Sequence, residues 1–154
     1  MFLDNKYTKW YNQIVVRAQQ RGITTKKQAK EILGYAEDHH IIPDSLGGID
    51  SRHNMVFLTA HEHLVCHLLL IKMTEGTNKA KMVNAAWAMS TLENDGQSRV
   101  RITGRTYAKL RKQFAESHSK AMTGYKQRPE QGQKISQALK GKPSKLKGVS
   151  RPDI

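Results

Sequence analysis

The sequence has a single cysteine, Cys66, in 154 residues. That excludes a disulfide framework and a cysteine-rich zinc site, and it fits a reducing cytoplasm. No stretch of about 18 apolar residues occurs, so no membrane-spanning helix is expected. The opening residues, MFLDNKYTKW, lack the apolar run of a secretory signal. Acidic residues are scarce in one region. Residues 99–154 hold 3 acidic against 15 basic side chains, whereas residues 1–98 hold 10 against 11. Nearly all of the formal net charge of +13 therefore lies in the last third. A tail of this kind suits a polyanion, nucleic acid foremost. Its few bulky apolar residues argue against a membrane surface. With 38% hydrophobic residues, the chain can form one modest core with appendages.

Apolar periodicity supplies the elements. Tyr7, Trp10, Tyr11, Ile14, Val15 and Ala18 recur at three- and four-residue steps, predicting a helix over 7–20 that stops at Gly22. Thr25 and Gln28 form a capping-box pattern for a helix over 26–33, ended by Gly34. The run YAEDHHIIP reads as extended, DSLGGIDSRH as loop and NMVFLT as a short strand. Thr59 and Glu62 form a second capping box, so a helix is expected from Ala60 to about Met73. Residues 78–93 and 105–118 also read as helical, the first through Met82, Ala85, Ala86 and Met89, the second through Tyr107, Leu110 and Phe114. Beyond 118 the apolar face disappears. Ser119–Gly124 and Ser136–Gly141 nonetheless share the form Ser-x-Ala-apolar-x-Gly, 17 residues apart. If they are repeats, each is a short helix ending at its glycine.

Histidine is concentrated in the middle of the chain. Six of seven lie between 39 and 67: His39, His40, His53, His61, His63 and His67. Adjacent residues on a strand point to opposite faces, so His39 and His40 are expected to address different partners. His63 and His67 lie four apart on an expected helix and share a face. A strand pair packed on that helix brings His39, His63 and His67 toward one ion. A lone histidine is more often a satisfied side chain than a ligand. The adjacent pair, Asn54 and the helical pair in this order favour a functional site. Cys66 has no Cys-x-x-Cys companion and reads as a small buried residue.

The segment EDHHIIPDSLGGIDSRHNMVFLTAHEHLVCHLLL resembles the HNH, or ββα-metal, nuclease motif over residues 35–73, and within it the phage-borne homing endonucleases. The opening Tyr-x-x-Trp-Tyr helix is similar to the start of such proteins. KISQALKGKPSKLKG resembles the modular DNA-binding units found behind their nuclease domains. The resemblance implies an α+β fold, mainly helical, with a small ββα-metal motif and an extended basic C-terminal tail. Its segments are a helical 1–34, the nuclease motif at 35–75, a helical extension at 76–118 and a DNA-binding tail at 119–154. It makes His40 the general base and His39, His63 and His67 the metal ligands. Asn54 matches the motif's central Asn, which either orients the base or joins the metal shell. Glu37 matches a carboxylate that steadies a histidine ring. His53 and His61 receive no role. In the tail, Lys134, Lys140, Lys142, Lys145 and Lys147 are the expected DNA contacts.

The implied activity is metal-dependent hydrolysis of DNA phosphodiesters to 5′-phosphate and 3′-hydroxyl ends. One divalent ion is implied: Mg2+ or Mn2+ for turnover, or Zn2+, which three imidazoles favour in affinity. The expected partner is double-stranded DNA, with no membrane and no obligate protein partner, in the host cytoplasm if phage-encoded. Two alternatives stand beside homing. One is an HNH nuclease serving restriction or packaging. The other is a non-catalytic zinc-containing DNA-binding protein, which would need a fourth protein ligand and no spare histidine.

Overall fold

The computed structural model describes residues 2–91, 101–126 and 128–141. The chain divides into two compact units, residues 1–120 and 121–154. In the first unit, α1 (Lys6–Gln20) starts at Asn5, whose side-chain oxygen accepts from the N–H groups of Tyr7 and Thr8. The short α2 (Lys26–Leu33) begins at the Thr25–Gln28 capping box and ends at Gly34, whose φ of 73° is one that glycine adopts without strain. Strand β1 (Glu37–His40) pairs antiparallel with β2 (Met55–Leu58), setting His39 opposite Val56 and His40 opposite Met55. Next come α3 (Ala60–Lys72), capped by Thr59 and Glu62 as the sequence predicts, α4 (Gly76–Thr91) and α5 (Gly104–Met122).

The core lies where α1, β2, α3 and α4 meet, and α5 adds Leu110 to it. Tyr11, Ile14, Val15 and Ala18 are buried on α1; Met82, Val83 and Ala86 are buried on α4. Trp10 departs from the expected stripe: it is 49% exposed, edge-on to Tyr7 and under the Lys6 ammonium. Successive helical residues turn by about 100°, which carries position 10 to the edge of the face centred on 11, 14, 15 and 18. The N-terminus is tied to the end of α3, through Leu3 N–H to Met73 O at 2.9 Å and Asn5 Nδ2 to Lys72 O at 3.2 Å.

In the second unit, the tail expected to be extended contains a helix, α6 (Pro129–Leu139). Gln, Glu, Lys and Ala are adequate helix formers, and Pro suits the first turn. The two related sextets both terminate helices. Gly124 follows α5, Gly141 follows α6, and both have φ 78°. Lys142, Lys145 and Lys147 lie outside the described residues.

Candidate metal centre

The alternation of β1 decides which histidine faces inward. Glu37 and His39 share the face turned toward α3, while Asp38 and His40 point the other way. His39 is accordingly 2% exposed, whereas the His40 side chain is 32% exposed. On α3, His63 and His67 sit one turn apart and meet His39. One ligand atom from each of the three rings lies within 4.8 Å of the others. Ring centroids are 4.9 Å apart for His39–His63 and for His63–His67, and 5.5 Å apart for His39–His67.

Neighbouring groups fix how two of the rings present themselves. The Tyr11 hydroxyl donates its one proton to the Ile41 carbonyl at 2.7 Å. It therefore accepts from Nε2–H of His39, 2.9 Å away, which leaves Nδ1 as the lone-pair nitrogen of that ring. His63 Nδ1 donates to Glu37 Oε2 at 2.6 Å, so its Nε2 carries the lone pair. That Nε2 lies 3.2 Å from Nε2 of His67. Two nitrogens bonded to one tetrahedral ion at about 2.0–2.1 Å would stand about 3.3 Å apart, so the spacing fits shared coordination.

The electrostatics agree. Burial, then the neighbouring imidazoles, push His39 down to about 2 from its ordinary value. Burial and His63 push His67 down to about 3, partly opposed by Glu37. Both rings are thus neutral at ordinary pH and keep the lone pairs that a cation needs. Cys66, 0% exposed, belongs to the core and not to the cluster. Burial and then Glu62 push its thiol up to about 12.

No family model matches the chain, and no solved structure matches it. Among curated proteins, Probable mobile endonuclease D of Enterobacteria phage T4 is 35% identical over 117 residues, covering 75% of this chain and 43% of that protein. Probable mobile endonuclease E of the same phage is 32% identical over 111 residues, covering 70% of this chain and 71% of that protein. The chain belongs to the phage mobile endonuclease family. It spans less than half of endonuclease D. Probable mobile endonuclease C, also of Enterobacteria phage T4, is 44% identical over 79 residues, 51% of this chain and 34% of its own length.

Several of the other sequence-predicted residues sit around the trio. Glu37 Oε2 stands 2.6 Å from His63 Nδ1. Asn54, 7% exposed, is committed to backbone: Oδ1 accepts from Ile42 N–H at 2.8 Å, and Nδ2 donates to Ile42 O and Ile49 O, both at 2.9 Å. It closes the loop between the strands directly behind His40 and Ile41. The same closure explains the paired glycines. Gly47 adopts φ 90°, and a Cβ on Gly48 would lie 1.8 Å from Ile42 O. His40 Nε2 is shielded from solvent and makes no hydrogen bond. Asp50 Oδ1, 3.4 Å away, is close enough to pair with it electrostatically but poorly aligned for a bond. His53 and His61 are exposed and lie outside the cluster. Lys134 and Lys140 are exposed on and just after α6.

Two contributors escape a reading by motif. Tyr11 lies 28 residues from His39 and scores as apolar periodicity. A tyrosine in the middle of an apolar stripe is the available signal, because a buried hydroxyl needs a partner. Arg21, just after α1, makes a two-pronged pair with Glu62 that pins the start of α3. This pair and the Thr59 bonds outweigh the effect of burial and hold the Glu62 carboxyl down at about 2.

Proposed function

We propose that this family member is an HNH-type DNA endonuclease serving as a phage homing enzyme, with His39, His63 and His67 holding one divalent cation and His40 acting as general base. The observation that carries the reading is three imidazoles converging beside a fourth that is outside their cluster and partly exposed. A structural zinc site takes four protein ligands and closes. Here three are found among the described residues, which leaves room for substrate. That arrangement favours catalysis over a purely architectural metal.

When bound, the cation would neutralise charge on the phosphate and on the leaving oxygen. The chain supplies the rest. His40 accepts a proton from water as the water oxygen bonds to phosphorus. The bond from phosphorus to the 3′ oxygen breaks, and that oxygen takes up a proton, giving 5′-phosphate and 3′-hydroxyl ends. Glu37 and Tyr11 keep His63 and His39 in ligand-ready tautomers. Asn54, by locking Ile42, positions the strand end that carries His40, which supports a positioning role for this residue. Lys134 and Lys140, with Lys142, Lys145 and Lys147, contribute phosphate contacts from the basic tail.

The test is conversion of supercoiled plasmid by the purified chain with Mg2+, Mn2+ or Zn2+, and with excess chelator. Metal-dependent nicks or breaks that ligase reseals directly are expected, since ligation requires 5′-phosphate and 3′-hydroxyl ends. Cleavage undiminished by chelator would overturn the reading.

A further inference from the structure

A second concentration of charge lies away from the histidines, in the unit formed by residues 1–120. Between α3 and α5 is a groove of about 300 Å³. Leu68, Ile71 and Leu110 are among its lining residues, and Lys72, Arg105 and Lys109 supply its charge. Its other lining side chains, Thr106 and Gln113, are neutral hydrogen-bonding groups, and no acid lines it. None of the three cations forms an ion pair with a carboxylate among the described residues.

Lys72 stands close to the Lys109 ammonium. Partial burial and the facing Lys109 ammonium hold Lys72 below the ordinary lysine range, and Lys79 adds to the repulsion. Like charges brought together without a counter-charge destabilise the fold unless an anion is the intended neighbour. Lys72 follows His67 by five residues, about 7.5 Å along the helix axis and about 140° around it, so the groove lies on a different flank of α3 from the histidines.

We infer that Lys72, Arg105 and Lys109 form a phosphate-binding groove that grips the DNA backbone on a separate flank of the same unit, independently of the basic tail. The inference rests on the proposed DNA cleavage and adds an anchoring site within the catalytic unit. Such contacts carry no sequence information. They fix register and contribute a salt-dependent term of about −0.9 per phosphate to the slope of log affinity against log salt.

The experiment uses the full chain and a duplex oligonucleotide, with binding measured from about 50 to 200 mM salt. Lys72→Gln, Arg105→Gln and Lys109→Gln together should flatten the slope by about 2.7, so that across this range the wild type loses roughly 40-fold more affinity than the variant. A control removes equal charge from α2 by Lys26→Gln, Lys27→Gln and Lys30→Gln and should keep most of the wild-type slope. Circular dichroism checks folding; if the triple variant does not fold, Lys109→Gln alone should flatten the slope by about 0.9. A folded groove variant with the wild-type slope, or a control flattened equally, overturns the groove while leaving DNA cleavage standing. A wild type that neither binds nor cuts duplex overturns both.

Discussion

At the scale of single residues, the candidate centre depends on which nitrogen each ring turns inward, and that is set by groups that touch no substrate. Tyr11 is the clearest case. Tyr11→Phe keeps the buried ring but removes the oxygen that accepts from His39 Nε2–H at 2.9 Å. A partner of this kind is worth about 10- to 100-fold in metal affinity. Competition titration with a chromophoric chelator should show a loss in that range with an unchanged circular dichroism spectrum. Unchanged affinity would mean that the hydroxyl does not set the ring. His39, His63 and His67 could be brought together from sequence because strand alternation and the i, i+4 step place side chains without knowledge of the rest of the fold, whereas Glu37 came only through the resemblance. Tyr11 was not, because its contact with His39 exists only once α1 has packed against β1.

Among elements, the loop between the strands and the start of α3 carry the geometry. Gly48→Ala sets a Cβ against the Ile42 carbonyl at 1.8 Å and crowds Asn54 Nδ2 at 2.9 Å. The backbone must move, and His40 sits two residues before Ile42. Cleavage should fall at least 10-fold, while metal content, measured by atomic absorption, stays near wild type because α3 and β1 are intact. Loss of metal together with activity would show that the loop supports the whole centre and not His40 alone. Thr59→Ala removes the cap of α3 and should cost about 1 kcal/mol of stability in chemical denaturation. A cost near zero would mean that the Arg21–Glu62 pair alone secures this helix start. Both capping boxes could be read from sequence because a cap is a local pattern spanning four residues. The Arg21–Glu62 pair, 41 residues apart, could not. Trp10 shows the opposite failure, since periodicity counts apolar residues and does not locate the edge of the buried face.

For the whole molecule, charge and core overlap in a way that composition conceals. The basic excess after residue 98 suggests a detachable tail, yet Leu110 is 2% exposed in the core, and Ile102 and Phe114 pack against that core. Residues 99–120 hold 7 basic and 1 acidic side chains, and residues 121–154 hold 8 and 2. Half of the excess therefore lies in residues 99–120, and α5 itself holds five basic side chains against one acidic. Truncation after Lys120 should leave a folded unit that binds DNA more weakly, with a flatter salt dependence. Truncation after Asn94 should unfold or strongly destabilise it. Thermal melts of the two fragments separate these outcomes, and equal stability would contradict the assignment of α5 to the core. The helix within the tail was legible only at its end, through the Ser136–Gly141 sextet, and its length was not. Lysine- and glycine-rich composition lowers hydrophobic periodicity without preventing helix formation.

The central claim is that base and metal ligands are separate sets, and one paired measurement tests it. His40→Ala and His63→Ala are assayed side by side for bound metal per chain and for cleavage of supercoiled plasmid. The account predicts that His40→Ala keeps its metal and loses cleavage at least 100-fold, in keeping with the usual contribution of a general base. His63→Ala should lose both metal and cleavage. A His40→Ala protein that cuts at the wild-type rate, or a His63→Ala protein that retains both metal and activity, would contradict it.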